Sequence, residues 1–565
     1  MMKNISRRNF IQKSSMGFGS IIAFSAFGNS TYKPSEDFIT ADTAFGKLKG
    51  VRENGVNIFK GIPYAGQVSG NRRFRRPGPP EPWTGIREAL ALGHPAMQGK
   101  NSFYGIEEPE PAEDCLVLNL WTPANDNKKR PVMFYNHGGG FNSGSGGSVA
   151  QDGANLARYF DVVVVQTNHR LSLFGFLYLD EIAGSEYAGS GNNGMLDIID
   201  GLKWVQQNIS QFGGDPNNVM IFGESGGGAK TSCLFAMPAA APYFNKGSIE
   251  SGPGIRMTTI ETASETTALL LKELNINPKD WRKLLDIPAA DLYALQGKLP
   301  RLVAAQQSVL KPRGIGGSGI GSFSPVVDGI ALPNHPFDPN APEISKNKPL
   351  LVGWNEDEYT FFAMSGGDVS GFNLDFEGLS KKLEPRYGEN TKRIIETYRT
   401  SRPKASASNI YVEIMSVTMM GLGSIEIAEK KAKQKGANAY LYNFGYKSEN
   451  KIPNTDYELG TCHAMDIAFK FNNIIPDGSP KAGGMAGKRP ERFKASKNFA
   501  ELWTTFARTS IPSAKGQPAW PAYDLVKRPT MRIDTECEVI NNRNKTEREL
   551  WSDLGYMGEV SKKEK

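Results

Sequence analysis

Gly223-Glu224-Ser225-Gly226-Gly227 follows a run of four apolar residues, Val219 to Phe222, and precedes residues that can open a helix. Gly-x-Ser-x-Gly in this setting outlines a nucleophile elbow. A strained turn lifts the serine oxygen clear of a sheet, and small neighbours let strand and helix cross closely around it. The chemistry is attack of a serine oxygen on an acyl carbon. A serine alcohol is a weak nucleophile at neutral pH, so Ser225 needs a histidine base, an acid to hold that base, and donors for the developing oxyanion. In a chain with 61 glycines the pentapeptide alone is a weak signal, and its partners decide the matter.

Five histidines are available. In α/β hydrolases the order along the chain is Ser, acid, His, which leaves His335 and His463. His335 sits in the turn Asn334-His335-Pro336 with few acids before it, whereas His463 follows a strand and loop and precedes an apparent helix at 464–471. His463 is the better placed base. The acid belongs in a loop at the end of an intervening strand, and Asn355-Glu356-Asp357-Glu358 directly follows the apolar run 349–354. Any of its three carboxylates satisfies this argument. For the oxyanion, His137-Gly138-Gly139-Gly140 offers backbone N–H groups with no side chains in the way, and Gly226 adds the N–H after the nucleophile. Each such donor contributes roughly a hundredfold in rate or more.

These residues need a scaffold that brings strand ends together. Alternation and frequent turns over 45–65 predict short antiparallel strands, and 115–121 reads as a further strand. The runs 131–136, 161–166, 219–222, 349–354 and 438–445 read as strands, and the continuous apolar runs among them suit a parallel sheet covered on both faces. Met195, Ile198, Ile199, Leu202, Val205 and Ile209 share one helical face, and Gly213-Gly214-Asp215-Pro216 then breaks the chain before the elbow strand. Strand, helix, strand, helix is the α/β pattern: a large, mostly parallel central sheet flanked by helices. Residues 261–300 read as a helical insertion with Leu269, Leu270, Leu271, Leu274, Leu284 and Leu285 as core contacts. The Gly-rich stretch 314–321 reads as a mobile loop, 500–508 as a helix and 561–565 as a frayed tail.

Composition excludes several classes. At 565 residues and 39% hydrophobic content the chain suits a large core, not disorder. Lys3, Arg7, Arg8 and Lys13 supply four of the seven excess positive charges, so the rest of the chain gives no case for nucleic-acid binding. The cluster Arg72, Arg73, Arg75, Arg76 reads as a solvated or salt-bridged loop. Arg7-Arg8 ahead of the small, apolar stretch 14–27 has the layout of a twin-arginine export signal over residues 1–28, too short for a permanent membrane anchor. That layout implies a periplasmic or secreted protein, with 36–558 as its single catalytic domain. The four scattered cysteines form no Cys-x-x-Cys pair, so neither a disulfide framework nor a zinc site is expected.

The chain resembles the type-B carboxylesterase and cholinesterase-like family of α/β hydrolases over nearly its whole mature length. The matching stretches are 59–65, 113–119, His137 to Phe141, 168–171, 212–216, 222–227, 325–329 and 520–523, in that order. The resemblance implies that Ser225 is the nucleophile, Glu358 the acid and His463 the base. It also implies Gly139, Gly140 and Gly226 as oxyanion donors, with Ser251 in support. The implied reaction is hydrolysis of a small-molecule carboxylic ester through an acyl-enzyme, without metal or organic cofactor. Rival readings are turnover of amides, carbamates or lactones by the same triad, or a non-catalytic binding protein, which the retained serine and histidine oppose. Some positions depart from the family pattern. Residues 93–98 hold no cysteine to pair with Cys115, and Gly226 stands where alanine is usual, a change harmless to an N–H donor. Lys230 replaces a small polar residue, and Tyr359 stands where glycine is frequent, beside the acid.

Overall fold

Strands without a polar face become the middle of the sheet. Arg130–Asn136 and Val163–Thr167 are buried at every position, and the two pair in parallel, as does Arg130–Asn136 with Gly214–Glu224. Successive side chains on a strand point to opposite faces. Accordingly Val132, Phe134, Val219 and Ile221 enter one core, shared with helix Asn193–Asn208. Met133, Tyr135, Met220 and Phe222 enter a second, shared with helix Glu491–Thr509. Both faces are therefore closed to water, which is why these strands read as unbroken apolar runs.

The computed structural model describes residues 37–99, 108–299, 322–474 and 484–557. The expected export signal at 1–28, the Gly-rich stretch 314–321 and the tail 561–565 lie outside the described residues. Asp37–Lys565 forms one compact unit. Seven strands make its parallel centre, in the order Val163–Thr167, Arg130–Asn136, Gly214–Glu224, Lys246–Glu250, Leu350–Asn355, Ala439–Phe444, Pro529–Ile533. Antiparallel strands Asp37–Thr43, Gly46–Glu53, Val56–Pro63 and Val117–Thr122 extend one edge and Glu538–Asn541 the other. With Ile86–Glu88 beside Gly46–Glu53 the sheet has 13 strands among the described residues.

The central strands Lys246–Glu250 and Pro529–Ile533 and the helices between Phe376 and Gln434 are absent from the sequence reading, and the other differences are local. The strand expected from Cys115 begins at Val117 and pairs antiparallel with Val163–Thr167. The Gly213-Gly214-Asp215-Pro216 break is partly absorbed into the elbow strand, which starts at Gly214 with an irregular register opposite Arg130 and Val132. The final long helix starts at Glu491, nine residues before the expected Ala500, and ends at Thr509.

The insertion consists of helix Ile260–Glu273, a kinked 3-10 stretch Pro278–Leu285 and helix Ala289–Gln296. Leu270, Leu271 and Leu284 are buried, while Leu269, Leu274 and Leu285 pack at the margin. Arg73 ties the insertion down: it is buried, pairs with Glu113 at 2.5 Å and donates to the carbonyls of Leu284 and Ile287, each at 2.8 Å. Arg75 and Arg76 pair with Glu186 and Asp200. The basic cluster is thus a salt-bridged loop that braces the fold.

Candidate active site

Strand Gly214–Glu224 runs directly into helix Gly226–Ala236 through Ser225, whose φ of 59° and ψ of −124° lie outside the regions a side-chain-bearing residue prefers. Such a conformation costs ~1–3 kcal/mol and persists only where its surroundings enforce it. Here Ser225 N donates to Glu250 O on the adjacent strand at 2.8 Å. The three glycines that follow keep the crossing tight: a Cβ at Gly227 would lie 2.0 Å from Asn136 O, and one at Gly226 would lie 2.2 Å from Gly140 O. Ser225 itself remains partly exposed although the rest of the elbow is buried.

His463 reaches the elbow from the loop before helix Met465–Lys470. Its Nε2 lies 2.7 Å from Ser225 Oγ and its Nδ1 lies 2.6 Å from Glu358 Oε2. A proton on Nδ1 satisfies both contacts, leaving Nε2 to accept from the serine. Glu358 is fully buried in the first turn of helix Glu358–Gly366, and its other oxygen accepts from Asn355 N at 2.8 Å. The rings of Phe361 and Phe362 lie 5.7 and 4.6 Å from the imidazole and give it an apolar wall.

The three candidate acids have separate fates. Glu356 is ringed by Lys447, Arg532 and Arg543 at 2.8 to 2.9 Å. Burial works to raise its pKa, but those cations outweigh burial and hold it down to about 2. Asp357 pairs with Lys447 and accepts from Thr461 N at 2.7 Å, stitching the acid loop to the histidine loop. Only Glu358 meets His463. Tyr359 turns away from the triad: its hydroxyl lies 3.2 Å from that of Tyr411, and its N–H donates to Ser416 Oγ at 3.0 Å. His335, the other histidine after Ser225, accepts from Met257 N at 3.1 Å in its own turn. Ser251 is buried next to the elbow, but its hydroxyl meets no partner among the described residues.

Gly139 and Gly140 adopt φ of 83° and 61°, and a Cβ at Gly139 would strike Ser143 O at 2.3 Å. Glycine is therefore required for this turn, which folds back over the elbow so that Gly140 backbone touches Gly226. The N–H groups of Gly139 and Gly140 meet no protein acceptor among the described residues. They are available to a ligand oxygen.

Sequence reasoning missed several buried groups. Glu224, inside the Gly-Glu-Ser-Gly-Gly pentapeptide itself, places Oε1 3.3 Å from His463 Nε2 and accepts from Ala464 N at 3.1 Å. Burial raises its carboxyl above the ordinary range. Burial pulls the His463 imidazolium down, but Glu224 and then Glu358 more than offset that, and the net direction is up. Deeper still, Lys470 contacts Glu250 and lies 3.5 Å from Asp466. Trp503 Nε1 donates to Glu250 at 2.6 Å, and Asn355 Nδ2 donates to Asp466 at 3.0 Å and to Cys462 O at 2.9 Å. Asn355 thereby braces both the acid and the histidine loops. The only sequence signal for these roles is that charged residues occur in otherwise apolar segments.

A strained serine at a strand-to-helix turn, in line with a buried imidazole and carboxylate on a mostly parallel sheet, defines a serine hydrolase of the α/β-hydrolase fold. Residues 37–551 match the carboxylesterase family, and the chain belongs to it. Among curated relatives it is 34% identical to the para-nitrobenzyl esterase of Bacillus subtilis, over 90% of this chain and 97% of that protein. The crystal structure of a carboxylesterase from Geobacillus stearothermophilus superposes with a TM-score of 0.74 at 34% identity, covering 91% of this chain and 99% of that one. An esterase from Clostridium hathewayi, described as able to hydrolyse aliphatic aromatic polyesters, superposes with a TM-score of 0.75 at 29% identity, covering 92% and 100%. The protein is a carboxylic ester hydrolase of the serine type.

Proposed function

We propose that this carboxylesterase acts through Ser225, His463 and Glu358, with the N–H groups of Gly139, Gly140 and Gly226 as its oxyanion hole. The observation that carries the assignment is the continuous chain of contacts from Ser225 Oγ to His463 at 2.7 Å and from His463 to Glu358 at 2.6 Å. His463 Nε2 takes the serine proton as Oγ attacks the ester carbonyl, and Glu358 stabilises the imidazolium that results. The carbonyl oxygen gains its negative charge among the glycine N–H groups. Collapse of the tetrahedral intermediate breaks the bond to the alcohol oxygen, which leaves with the proton from His463. Water then attacks the acyl-Ser225 ester by the same steps, releasing the carboxylic acid and restoring the serine.

A fluorophosphonate probe tests the assignment. It should label the wild type stoichiometrically at Ser225 and leave Ser225→Ala unlabelled and inactive on p-nitrophenyl esters. Full esterase activity in Ser225→Ala would refute it.

The same reading takes residues 1–28 as a twin-arginine export signal and the mature enzyme as periplasmic or secreted, supported by Arg7-Arg8 and the short apolar stretch behind them. Replacing both arginines by lysine should retain the protein in the cytoplasm. Unchanged export of that variant would overturn the proposal.

A further inference from the structure

Lys230 lies five residues after the nucleophile on the elbow helix and is fully buried. A buried ammonium is costly unless it is held in place by good acceptors. Its Nζ donates to His137 O at 2.9 Å and lies 6.0 Å from the centroid of the Phe141 ring. These two residues bracket the three glycines of the oxyanion turn. The neighbouring Thr231 makes a parallel link, accepting from Asn136 Nδ2 at 3.0 Å, so consecutive helix residues grip consecutive residues at the end of strand Arg130–Asn136.

The groups facing Lys230 are His137 on that turn and His169 on the loop after strand Val163–Thr167, their rings stacked 4.5 Å apart. Both imidazoles are driven toward the neutral form, first by burial and then by Lys230. Burial in turn pulls the ammonium down to about 7. A neutral amine still donates a hydrogen bond, so the contact to His137 O survives in either protonation state. The other half of the arrangement is Gly226. Because it lacks a Cβ, the Gly140 backbone approaches to within 2.2 to 2.4 Å of the place a Cβ would occupy. Gly226 leaves room for the turn, and Lys230 fastens its base.

We propose that Lys230 is a positioning residue of the oxyanion hole: reaching back from the elbow helix, it fixes the His137 carbonyl and so sets the height of the Gly139 and Gly140 N–H groups above Ser225. The proposal rests on the oxyanion assignment given above. It gives a role to a long amine side chain that is fully buried on the elbow helix.

Lys230→Met keeps the length and apolar stem of the side chain and removes the donor. If the proposal holds, kcat on p-nitrophenyl esters falls on the order of tenfold to a hundredfold while KM changes less than twofold. Affinity for a trifluoromethyl ketone, which binds as a hemiketal oxyanion, falls by the same factor, while affinity for the corresponding unreactive alcohol does not. Lys230→Gln retains an amide donor and should recover part of both losses; it also serves as the test variant if Lys230→Met does not fold. Unchanged kcat and unchanged ketone affinity in a folded variant would overturn the proposal, as would equal weakening of ketone and alcohol. Stoichiometric fluorophosphonate labelling of Ser225 in each variant separates a failure of this inference from a failure of the triad assignment.

Discussion

Gly226→Ala sets two effects against each other. Gly226 opens a helix with ordinary backbone dihedrals, and alanine in a helix is favoured over glycine by up to about 1 kcal/mol. The methyl group, however, would sit 2.2 Å from Gly140 O and 2.4 Å from both Gly140 N and Cα. Carbon atoms rest about 3.5 Å apart, so the Gly140 backbone must retreat on the order of 1 Å. The atoms it displaces are backbone, with no rotamer to change. A displacement of that size at a reacting centre costs roughly a hundredfold in rate, or about 2.7 kcal/mol. Activity should therefore fall while stability holds: kcat drops roughly a hundredfold, and the thermal midpoint stays within a few degrees of wild type. Stopped-flow release of p-nitrophenol from a short-chain ester measures acylation directly, and the burst amplitude counts competent sites. Acylation within twofold of wild type at full burst amplitude would refute the steric argument and restore the expectation that alanine and glycine are interchangeable there.

Glu224→Gln tests the field on the base. Because Glu224 and Glu358 together raise His463 against the opposing effect of burial, the acid limb of kcat/KM should lie above the ordinary histidine value of about 6.5 in the wild type. Removing the Glu224 charge should move that limb to lower pH; a limb that stays in place would show that Glu224 does not act on His463. Glu358→Gln should lower kcat roughly 10³- to 10⁴-fold, because the amide cannot accept from both Asn355 N–H and His463 Nδ1–H in the required tautomer. Activity within tenfold of wild type would remove Glu358 from the triad. Glu356→Gln should spare the chemistry but lower the thermal midpoint, since it leaves Lys447, Arg532 and Arg543 facing a neutral group. With a folded-state pKa held down to about 2, the Glu356 contribution is complete above the ordinary glutamate range and is lost as pH falls through about 2. Chemical denaturation of wild type and variant at pH 7 and pH 2.5 should therefore show a smaller difference at the lower pH, and an equal difference would refute the ion-pair account.

Much of the site was legible in the chain because its parts are local. An apolar run, a serine between glycines and a helix opening lie within one short segment, and their backbone demands appear directly as residue types. The same holds for the triple glycine after Arg130–Asn136, in which Gly139 and Gly140 take positive φ angles that only glycine adopts without strain. Five of the seven central strands were legible because burial on both faces removes polar residues from them. Four of these have boundaries within two residues of expectation, the elbow strand starts five residues before Val219, and Lys246–Glu250 and Pro529–Ile533 carried no reading as strands.

What the linear chain could not decide was set by distances between segments far apart in it. Glu356, Asp357 and Glu358 are equivalent as neighbouring acids, and only the phase of the strand end and helix start sends the first to three cations, the second to the histidine loop and the third to His463. Gly226 and alanine are equivalent as N–H donors until the Gly140 backbone is found against the position of the absent Cβ. Lys230 and Glu224 have no partner visible in the sequence and are buried in the structure, where tertiary packing brings a carbonyl to one and an imidazole to the other. Residue type determined what each group could do chemically. Which partner it met was a matter of approach in three dimensions, because hydrogen bonds and steric contacts act over a few ångströms, whereas Ser225 and His463 stand 238 positions apart.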